Sequence, residues 1–220
     1  MGIPVIDLFA GPGGLAEGFS SVFDVNGGRV FDIRLSIEMD EFAHKTLLFR
    51  SFYRQFDRDM VPDEYYNLLR ENNSRKREDR LRDLYSLYRR EYEKACEEAW
   101  QCELGNEPEQ IVDLKISRAL NLSKNWVLIG GPPCQAYSLV GRSRVGGIRE
   151  KDHRVYLYKE YLRIISKHQP SVFVMENVQG LLSAKLGEES IFKMILEDLR
   201  CPSKAFAGTK SKKYRIYSFV

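Results

Sequence analysis

A chain of 220 residues, 43% of them hydrophobic, is long enough for one domain with a sizeable core, with or without an insertion. Its 34 Lys and Arg against 31 Asp and Glu leave a net charge of +3, which excludes a globally basic, histone-like protein, so any nucleic-acid face has to be local. No run approaches the roughly 18 apolar residues of a membrane helix, residues 1–7 lack the basic flank of a signal peptide, and Cys96, Cys102, Cys134 and Cys201 suggest neither a disulfide framework nor a zinc site, so a reduced, cytoplasmic, metal-free protein is expected.

Ile3 to Phe9 is a short apolar run interrupted by Asp7 and closed by Gly11, Gly13 and Gly14, the pattern of a buried parallel strand entering a tight turn. Leu15 to Phe23 reads as a helix with Leu15, Phe19 and Val22 on one face. Val30 to Glu38 reads as a second strand and Glu41 to Phe49 as a second helix. This alternation predicts an α/β fold with a doubly wound, mostly parallel sheet. From about residue 50 to 110 the rhythm breaks. Leu81, Leu84, Tyr85, Tyr88, Tyr92, Ala95 and Ala99 recur at helical spacing, which predicts a helical insertion. Its mixed-sign polar face reads as solvated, with a nucleic-acid or subunit contact as the alternative.

The rhythm resumes with a strand from Trp126 to Ile129, which ends in Gly130-Gly131-Pro132-Pro133-Cys134. A loop rich in Gly and Arg runs from Leu139 to Arg154. A helix follows from Val155 to His168, with Leu157, Tyr161, Leu162 and Ile165 on its core face. Then come a strand from Ser171 to Met175, a helix from Ser190 to Leu199 and a strand from Tyr214 to Val220.

In an open parallel sheet, ligands bind beyond the carboxyl ends of the strands, where strand order reverses. If the Ile3 and Trp126 strands flank that point, three unusual strand ends share one crevice. Gly11, Gly13 and Gly14 let the backbone turn sharply and approach a ligand, and the next helix offers N–H groups to a carboxylate or phosphate. Glu38, at the end of the second strand, stands where an acidic residue takes ribose hydroxyls. Together they point to an adenosine-containing cofactor. Two prolines fix the loop of Cys134, which suits a nucleophile as well as a structural thiol. Glu176 follows the apolar run Val172 to Met175, so partial desolvation should raise its pKa and suit it to hold a proton.

These segments, in this order, resemble the DNA cytosine-5 methyltransferases. Asp7-Leu8-Phe9-Ala10-Gly11-Pro12-Gly13-Gly14 is similar to the family's cofactor motif, Gly131-Pro132-Pro133-Cys134-Gln135-Ala136-Tyr137-Ser138 to its nucleophile motif, and Glu176-Asn177-Val178 to its third signature. Arg142, Arg144 and the stretch from Asp152 through Arg154 to Leu157 fit its loop and next helix. The resemblance implies a Rossmann-like methyltransferase fold over residues 1–220. It also implies S-adenosylmethionine as methyl donor, S-adenosylhomocysteine as product, and a double-stranded DNA substrate with the target cytosine flipped out. It implies cofactor contacts from Asp7, Leu8, Phe9, Ala10, Gly11, Gly13, Gly14, Leu15, Glu38, Met39, Pro132 and Leu157, with Asp113 as the candidate for the adenine amine. Cys134 would attack C6 and Glu176 would hold N3 and the exocyclic amine. Pro133, Gln135, Tyr137, Ser138, Arg142, Arg144, Asn177 and Val178 would form the substrate and DNA contacts.

The family continues into a target-recognition domain and late segments that complete the cofactor pocket, and these are expected to be absent here. The chain therefore reads as a fragment, or as one subunit of a split restriction-system enzyme, inactive or weak without a partner polypeptide. The competing readings are a tRNA cytosine-5 methyltransferase, a non-catalytic subunit, and, on fold analogy alone, a nicotinamide-dependent oxidoreductase.

Overall fold

The computed structural model describes residues 2–132, 157–176, 185–186, 189–205 and 212–217. Val5, Ile6, Asp7 and Leu8 of strand β1 (Ile3–Leu8) are fully buried, as expected of a central strand covered on both faces. On one side β1 pairs with β2 (Phe31–Glu38), which pairs with the short β3 (Ala99–Gln101). On the other side β1 pairs with β4 (Val127–Gly130), which pairs with β5 (Val172–Met175). All four pairings are parallel and the order is β3-β2-β1-β4-β5. The chain departs from β1 toward β2 in one direction and from β4 toward β5 in the other. The crevice between β1 and β4 is therefore the point of reversal, and the expected α/β class and central strand pair are both observed.

Helices α1 (Gly14–Ser20) and α2 (Glu41–Arg54) follow β1 and β2. Helices α3 (Asp63–Leu69), α4 (Ser74–Leu87) and α5 (Arg89–Glu98) lie between α2 and β3. Helix α6 (Glu109–Leu120) leads to β4 and α7 (Leu157–His168) to β5. A two-residue antiparallel pair, β6 (Lys185–Leu186) with β7 (Glu189–Ser190), precedes α8 (Ile191–Arg200).

Alternation along the strands divides the core. Ile6, Leu8, Leu35, Ile37 and Leu128 pack with Val112, Ile116, Tyr161 and Leu162 from α6 and α7. Val5, Ile33, Val127 and Ile129 face the other way, onto Ala16, Leu15 and Phe19 of α1. A third cluster joins α2 to α5 through Phe52, Tyr65, Leu68, Leu84 and Ala95, with Phe49 stacked on Tyr65 at 4.6 Å and Tyr85 on Tyr92 at 4.2 Å. Buried Arg54 bonds Glu17 of α1 and Glu98 of α5, so one guanidinium ties these helices to the core. Removing Glu98 would leave that charge in the interior with only the partly exposed Glu17 as partner.

The structure departs from the sequence reading in several places. Helix α2 continues to Arg54, because its last turn buries Ser51, Phe52 and Arg54. Ala99, placed in the helical pattern, is instead in an edge strand, held by pairing with Ser36. Helix α6 was missed, although Val112, Ile116 and Leu120 stand four residues apart and are all buried. The described part of the final segment, residues 212–217, is not a strand. Tyr214 is fixed there by its N–H to the Arg200 carbonyl at 3.0 Å and its hydroxyl to the Pro170 carbonyl at 2.9 Å.

Candidate functional site

Register brings the strand ends level. Leu8 is partnered by Ile37 on one side and by Gly130 on the other, and Gly130 is partnered by Met175. The next residue of each strand, Glu38, Phe9, Gly131 and Glu176, therefore emerges along one rim. Cys134 belongs to the segment that leaves β4 at this rim, but it lies outside the described residues, as do Pro133, Gln135, Tyr137, Ser138, Arg142, Arg144, Asn177 and Val178.

The glycine loop is a built feature. Phe9, Gly11 and Gly13 have φ of 56°, 55° and 89°, so the backbone enters the left-handed region three times in five residues. For Phe9 that conformation is strained, costing of the order of 1–3 kcal/mol. The loop is fastened from β2 and α2. Ala10 N–H donates to the Ile37 carbonyl at 2.9 Å, and Gly11 N–H to Glu38 Oε2 at 2.7 Å. The other carboxylate oxygen, Oε1, accepts from Asp40 N–H at 2.7 Å. Arg50 Nη1 reaches the Pro12 carbonyl at 3.0 Å. A side chain at Gly13 would sit 2.9 Å from Leu47 Cδ1, whereas Gly11 and Gly14 have no atom within 4 Å of an added Cβ. Gly13 is thus favoured by its positive φ and crowded by Leu47, while Gly11 and Gly14 have open space around them.

Across the crevice, an added Cβ at Gly130 would lie 2.3 Å from the Leu8 carbonyl oxygen and 3.1 Å from Tyr161 Cε2. Only glycine allows this approach of β1 and β4. Glu176 N–H donates to the Gly130 carbonyl at 2.9 Å, which holds the end of β5 against β4. Glu176 lines one apolar groove of about 470 Å³ together with Gly14, Leu15, Gly18, Phe19, Val22 and Phe31. The structure therefore brings Glu176 beside the start of α1. The expected desolvation is not observed, because Glu176 is exposed where it stands beyond the last pairing of β5.

The carboxyl just behind this rim that burial perturbs is Asp7. It is fully buried and neither oxygen has a hydrogen-bond partner. Burial raises its pKa to about 7, opposed by Arg54 and reinforced by Glu38, Glu176 and Glu98. Asp7 and Leu8 have no exposed surface, whereas Phe9 and Ala10 are half-buried. Leu15 is half-buried, Pro132 is buried, and Leu157 is buried where it opens α7. Met39 and Phe42 follow Glu38 and are 59% and 76% exposed, which puts apolar surface on the rim. Phe42 and the Arg50 clamp were missed from sequence. The only signal for this turn was Asp40, whose side chain caps α2 by accepting from Ala43 N–H at 2.8 Å.

Asp113 is not brought to the rim. Its carboxylate is held by Arg163 at 3.0 Å, Lys167 at 2.7 Å and His168 at 2.8 Å. Lys167 and His168 are in the last turn of α7, which hands the chain to the start of β5, so these partners hold Asp113 toward the end of the sheet where β5 begins. Burial would raise its pKa, but Lys167, His168 and Arg163 outweigh burial and hold it down to about 2. Among the described residues no group of His, Cys, Asp and Glu is arranged to hold a metal ion, and no helix is long and apolar enough to cross a membrane.

Sequence comparison adds to this geometry. Residues 82–201 match the family described as C-5 cytosine-specific DNA methylase. The chain is 35% identical over 195 residues to the type II methyltransferase M.Bpa9945I of Bacillus paralicheniformis, covering 84% of this chain and 42% of that protein. It is 30% identical over 129 residues to the type II methyltransferase M.HpaII of Haemophilus parainfluenzae, covering 57% of this chain and 35% of that one. It is 46% identical over 74 residues to the DNA (cytosine-5-)-methyltransferase M.ApeKI of Aeropyrum pernix, covering 33% and 15%. The chain thus spans less than half the length of these relatives.

Proposed function

This chain belongs to the C-5 cytosine-specific DNA methylase family, and from that premise we propose that it is the cofactor-binding and nucleophile-bearing lobe of a DNA cytosine-C5 methyltransferase of a restriction–modification system. The observation that carries the reading is the common rim of Glu38, the Phe9–Gly14 loop and Glu176, set by strand register. The names of the relatives favour DNA over tRNA.

The residues present fit S-adenosylmethionine. Open backbone at Gly11 and Gly14, the exposed Met39 and the Glu38 carboxylate are what an adenosine with a charged amino-acid tail requires. Phe9 to Gly14 would hold it with Glu38 and Met39. Glu38 has lone pairs left for ribose hydroxyls after accepting from Gly11 and Asp40. When bound, the cofactor supplies an electrophilic methyl group.

The chain's own residues do the rest. The Cys134 thiolate adds to C6 of a flipped cytosine, forming the S–C6 bond and moving an electron pair toward C5. Glu176 hydrogen-bonds N3 and the exocyclic amine, which supports the charge that develops on the ring. After C5 gains the methyl group its proton passes to a base, and the S–C6 bond breaks to release the thiolate. Ser138 and Arg142 meet backbone phosphates. Target recognition is assigned to polypeptide other than these 220 residues, in the same or a second chain.

The test is covalent capture on duplex DNA carrying 5-fluorocytosine, with S-adenosylmethionine and with or without added polypeptide that supplies target recognition. The C5–F bond blocks the last elimination, so an adduct should accumulate that Cys134→Ser abolishes. No Cys134-dependent adduct with the complete assembly would overturn the reading.

A further inference from the structure

We propose that the corner between α3 and α4 is a second, sequence-independent contact with the phosphate backbone of duplex DNA, away from the cytosine site. This rests on the DNA reading above. Residues 72–80 are all exposed, so the first two turns of α4, about 10 Å of helix, bury no side chain. The first buried residue of that helix is Leu84.

The corner carries Arg70, Arg75, Lys76 and Arg77, all exposed, and among the described residues none of the four is in an ion pair. Two of the nearby carboxylates have other partners. Glu71 bonds Arg80 and Asp79 bonds Arg82. Residues 74–90 hold seven Lys or Arg against three Asp or Glu, a local +4 that exceeds the +3 of the whole chain. The first turn of α4 has no acidic residue, although acidic residues are the ones that would stabilise it. Three adjacent cations there repel one another and lower the stability of the helix, so their placement is not explained by folding.

A regular polyanion relieves that repulsion, and duplex DNA presents phosphates on both strands at a spacing that several cations on one short projection can meet together. Asn72, Asn73 and Ser74 add the short polar side chains common in such contacts. The corner stays attached to the catalytic body, because α3 is stacked on α2 through Tyr65 and Phe49, and α2 starts at the rim beside Glu38. DNA held in the crevice would thereby be gripped a second time along its flank.

The test uses a duplex of A·T pairs only, which offers no cytosine to the site. The full chain and its Arg75→Ala/Lys76→Ala/Arg77→Ala variant are titrated with this duplex across a series of salt concentrations. Three lost phosphate contacts should lower the slope of log affinity against log salt by about 3 and weaken binding about 100-fold near 0.1 M salt. A control replacing Lys94, Arg118 and Lys124, exposed cations elsewhere, should change the slope by less than 1. Equal slopes for the chain and its triple variant would overturn the inference, and so would failure of the chain to bind this duplex. Failure of the catalytic reading looks different: cytosine capture is absent while A·T binding keeps its dependence on the three cations.

Discussion

Replacing Asp7 with Asn should flatten the pH dependence of stability across neutrality. Asp7 is fully buried and both carboxyl oxygens lack partners. Its ordinary pKa of 3.8 rises to about 7 in the folded chain, chiefly through burial. A folded pKa above the unfolded one means that the native state holds the proton more tightly. This contribution to stability is whole below about pH 4 and is lost as pH rises through about 7. A shift of about three units at ~1.36 kcal/mol each is worth about 4 kcal/mol between those limits. The Asn variant cannot titrate there. It brings a fixed cost of about 1–3 kcal/mol for a buried amide without partners, and that cost does not vary with pH. The offset between the two proteins is therefore uninformative and the difference in slope is the measurement. Urea unfolding from pH 4.5 to 8.5 covers most of that span and should show Asp7→Asn gaining about 3 kcal/mol on the parent, with unchanged m-values. Parallel curves would mean that the buried carboxyl is already paired or hydrated, and the reasoning would fail.

Gly130→Ala should cost about 2 kcal/mol or more, because the added methyl meets the backbone oxygen of Leu8, which has no rotamer to yield; thermal unfolding reads it. Glu38→Gln keeps the shape but loses one of the two acceptors that fasten Gly11 and Asp40. It should weaken S-adenosylmethionine binding about tenfold in calorimetric titration. Asp113→Asn should destabilise the chain by about 2 kcal/mol at neutral pH, since buried Arg163 then keeps Glu160 at 3.2 Å as its main counter-charge and Lys167 loses its partner. The folded pKa of Asp113 is depressed, so its contribution is present above about pH 4 and lost as pH falls toward 2. The gap between parent and variant should close over that range, and cofactor affinity should not change.

What was legible in the sequence was whatever local chemistry dictates. A buried apolar run ending in three glycines has few structures open to it, and strand β1 with its left-handed turn is one of them. Alternation of strands and helices gave the sheet class, and the adjacency of β1 and β4 entered only as the condition under which the strand ends share a crevice. What was not legible depended on partners distant in sequence. Ala99 fits the helical pattern before it, and only its pairing with Ser36, sixty-odd residues earlier, makes it a strand. Asp113 is an acidic residue in the right interval for an adenine contact, and only Arg163, Lys167 and His168 reveal that its carboxylate is already taken. The burial of Glu176 was misjudged for the same reason: an apolar run says that a strand is covered, not that the residue beyond its last pairing is.

Positive φ also occurs at Asn121, Leu122 and Gln169, but several different exceptions to local rules meet in one short stretch, and that bears on function. Within residues 7–13 the chain holds a buried carboxyl with no partner, a phenylalanine at positive φ and two glycines at positive φ. Strain and unpaired burial each cost of the order of 1–3 kcal/mol, a large share of the 5–15 kcal/mol by which a domain is stable. The neighbouring strands show little of this; their one comparable orphan is the Ser36 hydroxyl, in register beside Asp7. Glu38, Arg50 and Leu47 then hold the strained turn from three directions, leaving Gly11 and Gly14 bare. A turn that served only to connect β1 to α1 would need neither the strain nor the fastening. The arrangement is intelligible where open backbone must be kept rigid for a ligand, as the cofactor-binding role proposed for this loop requires.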